Sequence, residues 1–214
     1  MPKLKPDTQR ARREAILDAA ERCFARSGFH RCTMQEICKE AGISPGALYV
    51  YFASKESLIA GLAERDRAEF QSRFADLATA PDFLQALSVI GEQYFVDEPA
   101  EKRLMCVEIG VESTRNPQVG ETFRAVDSFV NDSFASLFQR LAAEGRIAPE
   151  LDVATIAKVF AVIGDGMIWR RAVDPDFDGK ALMPAIVMLV GKLLNPVEQA
   201  AVHRSAPVPG EAQS

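Results

Sequence analysis

Residues 33–58, TMQEICKEAGISPGALYVYFASKESL, contain the pattern that decides the fold. Thr33 and Glu36 have the spacing of a capping box, in which two side chains satisfy backbone N–H groups at the start of a helix. Gly42 favours the end of that helix, and Ser44 is a suitable N-cap for the next one. Two short helices joined by such a tight turn predict a helix-turn-helix unit.

The second helix of this unit, predicted over residues 44–52, has a buried side and an opposite side of small residues. At helical spacing Leu48 and Phe52 share one side, which indicates that they build core. Gly46 and Val50 lie on the opposite side, where an exposed helix normally carries Lys, Glu or Gln. The outer face therefore keeps little side chain between its backbone and whatever it contacts.

This small-residue face, with Tyr49 and Tyr51 on its flanks, suits the major groove of DNA. The groove is about 12 Å wide and admits one helix, so small side chains allow a close approach of the backbone. Tyrosine hydroxyls can reach phosphates on the two walls of the groove. Alternatively, the two tyrosines are half-buried packing residues without a ligand.

The charge distribution favours the same partner. Residues 1–56 contain 10 Lys and Arg against 7 Asp and Glu, a net charge of +3, whereas residues 57–214 carry −8, which together give −5. A basic segment on an acidic body predicts a polyanion at one end of the molecule. Clustered arginines can follow the DNA backbone or enter the minor groove, and helix N-termini offer N–H groups to phosphates. The predicted DNA contacts are Arg12, Thr33, Ser44, Pro45, Gly46, Ala47, Tyr49, Val50, Tyr51 and Lys55.

Helical periodicity also governs the rest of the chain, and no segment has the pattern of a strand. Proline and glycine punctuation predicts further helices over residues 12–29, 54–78, 82–97, 99–114, 117–144, 152–173 and 179–195. We therefore expect an all-α protein with a three-helix DNA-binding domain, a larger helical domain and a disordered tail rich in proline and small residues. Their expected ranges are residues 1–55, 56–197 and 198–214.

The motifs argue against an enzyme. No Gly-rich phosphate loop follows a strand, and only two histidines are present, far apart in the sequence. Of the four cysteines, Cys23, Cys32 and Cys38 lie close together, but their spacing matches no common zinc pattern. We expect them to be small buried hydrophobic residues, with a redox-sensing thiol as the alternative. No catalytic residue, metal site or cofactor is predicted.

The sequence also indicates where the protein works. Its basic N-terminus is not followed by an apolar run, so no signal peptide is predicted. The longest apolar run, residues 181–194, contains Pro184 and Lys192 and is too short to cross a bilayer. We expect a cytoplasmic protein with no membrane contact.

Residues 10–58 resemble the DNA-binding domain of TetR/AcrR-type transcriptional regulators, through ILDAAERCFARSGFHRCTM and EICKEAGISPGALYVYFASKESL. The resemblance implies an all-helical homodimer that represses by binding a palindromic operator and releases it when a small molecule occupies the C-terminal domain. Two positions depart from the pattern of that family. Val50 stands where a polar or basic base-reading residue is common, so its readout is limited to apolar contact such as a thymine methyl. Cys38 replaces a usual alanine.

The larger domain must then supply a dimer contact. Its last two helices are apolar on more than one face, which indicates burial on all sides, either in a four-helix dimer interface or in the core of one chain. The predicted interface residues are Val159, Val162, Ile163, Gly166, Ile186, Leu189, Val190 and Leu193.

An effector pocket is expected between the remaining helices, although an aromatic stripe at helical spacing is also typical of core. Its predicted lining is Phe95, Met105, Cys106, Ile109, Phe129, Asp165 and Trp169, with Phe123, Phe134, Glu108, Glu112, Arg115 and Asn131 as further candidates. Two kinds of control are consistent with these residues. Either a small-molecule effector occupies this pocket, or the regulator responds to cysteine oxidation or to a protein partner. The helix that begins after Ser54 joins the two domains and is the expected transmitter.

Overall fold

A computed structural model describes residues 6–197, which fold into helices joined by short turns. Within that range the elements are α1 Pro6–Arg31, α2 Met34–Ala41, α3 Pro45–Tyr51, α4 Lys55–Thr79, α5 Phe83–Glu92, a π-helical turn Gln93–Asp97, α6 Ala100–Glu112, α7 Pro117–Ala143, α8 Val153–Val173 and α9 Gly179–Leu194. The all-α prediction is confirmed. The predicted tail, residues 198–214, lies outside the described residues.

Two helices differ from their predicted bounds. The first begins earlier than residue 12 and continues past Gly28 to Arg31, but Gly28 has φ 73° and kinks it. The glycine therefore interrupts the helix where the sequence predicted an end, and one further turn follows. The helix predicted over residues 82–97 instead ends as α5 at Glu92 and continues as the π-helical turn.

The capping residues of the helix-turn-helix act as the sequence predicts. The Glu36 N–H donates to Thr33 Oγ1 at 3.2 Å, while the Thr33 N–H donates to Glu36 Oε2 at 2.8 Å. Gly42 ends α2 in the left-handed region, with φ 66°. Ser44 Oγ accepts from the Ala47 N–H and starts α3. These caps hold the two short helices at a fixed turn.

The first core lies between α1, α2, α3 and the beginning of α4. Leu48 and Phe52 are buried there together with Leu62 of α4, so this core extends beyond residue 55. Met105 of α6 and Val119 of α7 belong to the same core. The larger helical body is therefore packed directly against the helix-turn-helix.

The second core occupies the far end of the body, between α4, α5, α7, α8 and α9. Phe134 lies at its centre, with its ring 4.5 Å from that of Phe160 and 5.0 Å from that of Phe74. Because α4 contributes to both cores, it joins the helix-turn-helix to the body as one continuous helix.

Candidate DNA-binding face and internal cavity

The outer face of α3 is as exposed and as small as the sequence predicts. Val50 is 80% exposed and Tyr49 is 55% exposed, whereas Leu48 is fully buried. A Cβ atom added to Gly46 would meet no atom within 4 Å, and its φ is not in the left-handed region. The fold therefore does not require glycine at position 46, in contrast to Gly42. The small side chain there leaves the backbone open to an external partner.

The other predicted contacts on this face are arranged around the helix N-termini. Thr33, Ser44 and Pro45 are exposed, while Ala47 is half-buried. Tyr51 packs partly against the first core, so it offers less surface than Tyr49. Hydrogen bonds from Thr33 to the Glu36 carboxylate lower the pKa of that group and keep it ionised beside the start of α2.

Some basic residues of the N-terminal helix are free of ion pairs within the described residues, and others are already paired. Arg12 is exposed and has no ion pair among the described residues. Arg13 instead pairs with Glu64 of α4 at 2.5 Å and lies 5.5 Å from the centre of the Phe52 ring. Arg12 is therefore the more available of the two for a phosphate.

Lys55 does not have the free ammonium group that the sequence predicted for a phosphate contact. Its Nζ donates to the Phe29 carbonyl and lies 4.3 Å from the centre of the Phe29 ring. The last turn of α1 presents unpaired carbonyl groups, which attract a cation. Lys55 thus joins the start of α4 to the end of α1, which leaves its ammonium group less available to a phosphate than the sequence predicted.

Close packing and ion pairs hold α4 against α1. Arg65 pairs with Asp18 at 2.7 Å and also with Glu21. A Cβ at Gly61 would lie 2.8 Å from the Phe52 ring, so only glycine allows α4 to approach this closely. The helix-turn-helix and the first half of α4 therefore form one closely packed unit.

A cavity of about 560 Å³ lies inside the body, between α4, α5, the π-helical turn, α6, α7 and α8. Most of its wall is apolar, and a volume of this size is typical of small-molecule sites. Five of the predicted pocket residues line it: Phe95, Cys106, Phe129, Asp165 and Trp169. Phe123 and Phe134 also contribute to the wall.

Met105 and Ile109 were wrongly assigned to the pocket. Both lie on the side of α6 that faces the helix-turn-helix, and Met105 is buried in the first core with Ile109 packed against it. Cys106 and Gly110 occupy the opposite side of α6 and face the cavity. The helix therefore contacts the DNA-binding unit with one side and the cavity with the other.

The polar candidates on α6 and α7 also lie outside the cavity wall. Glu112 is only 4% exposed, and its Oε2 is 2.7 Å from Nε2 of His30 near the end of α1. Glu108 lies against Gly28. Arg115 and Asn131 do not line the cavity either.

Sequence reasoning missed the polar end of the cavity. Lys102 lies there, with its Nζ 2.6 Å from Glu98 and 3.4 Å from both Asp66 and Glu69. Burial acts to lower the pKa of Lys102, but the neighbouring carboxylates raise it overall. Burial raises the pKa of Asp66, although Lys102 acts against that change. Tyr94, on the π-helical turn, completes this end.

The predicted dimer residues are mostly surface residues in the single chain. Val159, Val162, Gly166 and Leu189 are exposed, and Ile163, Ile186 and Leu193 are half-buried. Val190 is an exception, since it points into the second core and is not available to a second chain. Four further apolar side chains on α8 and α9 are exposed as well: Trp169, Val173, Leu182 and Met188. Both helices therefore expose many apolar side chains to solvent.

The cysteine side chains have the features of core residues. Cys23, Cys32 and Cys38 are buried thiols. Burial raises the pKa of each, and that of Cys32 to about 12. Burial likewise raises the pKa of Cys106, in the cavity wall, to about 12. Because the thiolate is the reactive form, these environments disfavour redox chemistry.

No helix in residues 6–197 is long and apolar enough to cross a membrane. In the same range, no three side chains of His, Cys, Asp or Glu come together as ligands for a metal ion.

A capped helix-turn-helix with an exposed small-residue face, joined to a helical body with an internal cavity, defines a DNA-binding transcriptional regulator. Residues 16–62 match the family model for bacterial regulatory proteins of the TetR family. The chain is 30% identical over 158 residues to the HTH-type transcriptional regulator UidR of Escherichia coli K12, which covers 73% of this chain and 79% of UidR. The chain therefore belongs to the TetR family.

Two other similarities agree with this assignment. The structure of GusR from Salmonella enterica superposes with a TM-score of 0.74 at 28% identity, over 86% of this chain and 95% of GusR. The HTH-type transcriptional repressor AcnR of Corynebacterium efficiens is 25% identical over 171 residues, 78% of this chain and 85% of AcnR. The chain is accordingly a DNA-binding regulator and not an enzyme.

Proposed function

We propose that this protein is a homodimeric repressor that binds a palindromic operator through α3 and releases it when a small molecule occupies the internal cavity. Since the target is chromosomal DNA, the protein works in the cytoplasm. Arg12, Thr33, Ser44, Pro45, Gly46, Ala47, Tyr49, Val50 and Tyr51 form the proposed DNA-binding face.

The observation that carries the DNA-binding proposal is the open surroundings of Gly46. An exposed glycine inside a helix costs roughly 0.5–1 kcal/mol relative to alanine. At Gly46 neither backbone conformation nor packing requires glycine. Close approach to a groove explains the absence of a side chain. Val50 then supplies apolar contact only, so most affinity comes from phosphate contacts and DNA shape.

Dimerisation is supported by the exposed apolar residues on α8 and α9. Val162 is 69% exposed and Met188 is 59% exposed, and further exposed apolar residues lie on the same two helices. Grouped apolar surface of this kind marks an interaction site, whereas single exposed residues do not. A two-fold axis through this surface gives a second α3 related by symmetry. Two such helices read an operator whose half-sites lie about one DNA turn or a small multiple apart.

Release by a small molecule is supported by the positions of α4 and α6. Both helices contact the first core, and both also line the cavity. A ligand that fits the cavity better in one arrangement of these helices shifts the protein towards that arrangement. If that arrangement changes the separation of the two α3 helices, the ligand lowers the affinity for the operator. The coupling is reciprocal, so bound operator lowers the affinity for the ligand by the same factor.

Control by cysteine oxidation has less support. The three clustered thiols are buried, and their raised pKa values keep them protonated. An oxidant would first have to open the core that holds the helix-turn-helix together.

A substitution at Gly46 tests the DNA-binding proposal without disturbing the fold. Gly46→Gln places a long side chain on the outer face of α3, where it obstructs the groove. We expect unchanged thermal stability and at least about a tenfold loss of operator affinity, measured by fluorescence anisotropy at fixed salt. Gly46→Ala is the matched control, with a smaller loss of affinity and equal or higher stability. Full affinity in Gly46→Gln would exclude α3 as the reading helix.

A further inference from the structure

Nε of Arg103, in the cavity wall, is buried and has no hydrogen-bond partner among the described residues. Two more such atoms lie at the polar end of the cavity. One is the hydroxyl oxygen of Tyr94, and the other is Oδ1 of Asp66. Both residues line the cavity. Asp66 Oδ1 is ion-paired with Lys102 Nζ at 3.4 Å, which is longer than a strong hydrogen bond, and the ammonium forms its shortest contact with Glu98. A buried polar atom without a hydrogen bond is destabilising, so such atoms need an explanation.

The backbone around Tyr94 is also unusual. Tyr94 and Phe95 belong to the π-helical turn, and both face the cavity. Isolated π-helical turns occur frequently at functional sites. Arg171 secures this turn by donating to the carbonyls of Phe95 and Val96 at 2.5 and 2.6 Å. The Tyr94 ring is itself fixed, since Arg73 lies 4.7 Å from its centre. The hydroxyl is therefore held in place by its surroundings.

The charge of the wall limits the kind of ligand. Five carboxylate residues line the cavity, Asp66, Glu69, Glu98, Asp127 and Asp165, against three cationic residues, Arg67, Lys102 and Arg103, which leaves a net charge of −2. A carboxylate or phosphate group would meet a wall of its own sign. At the polar end Asp66, Glu69 and Glu98 are already paired with the Lys102 ammonium, so that end favours an uncharged group over a further charge.

We propose that the effector is an uncharged, hydroxyl-bearing aromatic or similarly apolar molecule whose hydroxyl binds Tyr94 and Asp66 at the polar end of the cavity. This inference rests on the proposed function of the cavity as the effector site. A hydroxyl both donates and accepts, so it can donate to Asp66 Oδ1 and accept from Tyr94. An ammonium group only donates and would leave the Tyr94 proton without an acceptor.

The apolar part of the wall suits the body of such a molecule. Rings from α4, α7 and α8 surround the cavity, including Phe70, Phe129 and Trp169. The guanidinium of Arg67, which also lines the cavity, lies over one of these rings, 4.5 Å from the centre of Phe129. Aromatic rings pack well against a flat apolar ligand, and they add specificity through offset or edge-to-face contacts.

A matched series of probes tests this inference on the full chain by isothermal titration calorimetry. The series is para-butylphenol, butylbenzene, para-butylbenzoate and para-butylbenzylammonium, which share one apolar body and differ in the head group. We expect para-butylphenol to bind about tenfold more tightly than any other member, because only its hydroxyl satisfies both buried atoms. Tighter binding of the benzoate or the ammonium compound, or no binding of para-butylphenol, would overturn the inference.

Two variants locate the contact. Tyr94→Phe keeps the ring and removes the hydroxyl. It should therefore weaken the binding of para-butylphenol about fivefold and leave the binding of butylbenzene unchanged. Asp66→Asn lowers the negative charge of the wall. It should therefore reduce the difference in binding affinity between para-butylphenol and para-butylbenzoate. An equal effect of Tyr94→Phe on both uncharged ligands would refute the contact with the hydroxyl. Operator binding by the ligand-free protein is measured separately, so a failure of this inference is distinguishable from a failure of the proposed DNA-binding function.

Discussion

The core that supports the helix-turn-helix is closed, whereas the helical body encloses a cavity of about 560 Å³. In the first core, side chains such as Leu17 and Leu48 are completely buried, and capped helix ends fix the turns between the helices. In the body, aromatic rings line open space and apolar side chains remain exposed on α8 and α9. This difference in packing suits the two regions to different functions. A rigid unit presents α3, and a less closely packed body can respond to a ligand or to a second chain.

The largest expected effect comes from the exposed surface of the body, although it is distant from α3. Val162→Glu places a charge on the α8 face, which we expect to prevent dimer formation and to lower operator affinity by roughly 10²-fold or more, because two linked half-site contacts become one. Sedimentation velocity and fluorescence anisotropy measure the two effects. Val89→Glu, at a position 46% exposed on α5, is the matched control and should remain dimeric. If Val162→Glu stays a dimer with full affinity, α8 does not form the interface.

A pair of truncations compares the packing of the two regions directly. Leu48→Ala in the closed core should lower the free energy of unfolding by about 3 kcal/mol, since the neighbouring side chains cannot fill the lost volume. Ile168→Ala only enlarges the existing cavity, and we expect a loss of about 1 kcal/mol. Chemical denaturation of both variants measures the difference. Equal losses would show that the body is packed as closely as the helix-turn-helix.

The contact between the two regions can be weakened at the buried Glu112. Glu112→Gln keeps the shape of the side chain but removes the charge that pairs with His30 at 2.7 Å. Substitutions between coupled sites typically change coupling by 0.5–2 kcal/mol, so the factor by which para-butylphenol lowers operator affinity should fall about threefold. Glu144→Gln disrupts an exposed pair with Arg140 and is the control. If both variants change this factor equally, the Glu112–His30 pair does not couple the cavity to the DNA-binding helices.

The smallest expected effect concerns the capping box and its pH dependence. Hydrogen bonds from Thr33 lower the pKa of Glu36 below the ordinary value of 4.5 for this group. The ionised carboxylate therefore adds stability that is present above that value and is lost as the pH falls through the folded pKa. Between pH 7 and pH 3, Glu36→Gln should lose less stability than the wild type. Glu121→Gln, at an exposed position on α7, should follow the wild type. Parallel losses in all three proteins would contradict the role of Glu36.

The same comparison explains how much the sequence could predict. The helix-turn-helix was predictable because its signals are local: Thr33 and Ser44 cap helices, and Gly42 supplies the left-handed turn. The contact of Lys55 with the Phe29 carbonyl was not predictable, because the two residues are distant in sequence and meet only where α1 ends. Local patterns fix helices, but they do not fix what a long side chain contacts.

The cavity was harder to predict because its wall comes from five helices and one π-helical turn. Met105 and Cys106 are consecutive in sequence and point to different sides of α6. Helical periodicity does not say which side is covered by the helix-turn-helix and which faces the cavity. Tyr94 gave no signal of its own, since a π-helical turn follows from tertiary packing. Val190 was misassigned for a related reason, since both sides of α9 are apolar and only one faces outwards.

The central claim is that a dimer presents two α3 helices to one symmetric DNA site. The most direct measurement is selection of bound duplexes from a random-sequence library by the full chain at low salt, with Val162→Glu selected in parallel. We predict an inverted repeat whose half-sites are centred about one helical turn, or a small multiple, apart, and loss of that repeat with the variant. No enrichment, or a single site without two-fold symmetry for the wild type, would contradict the account.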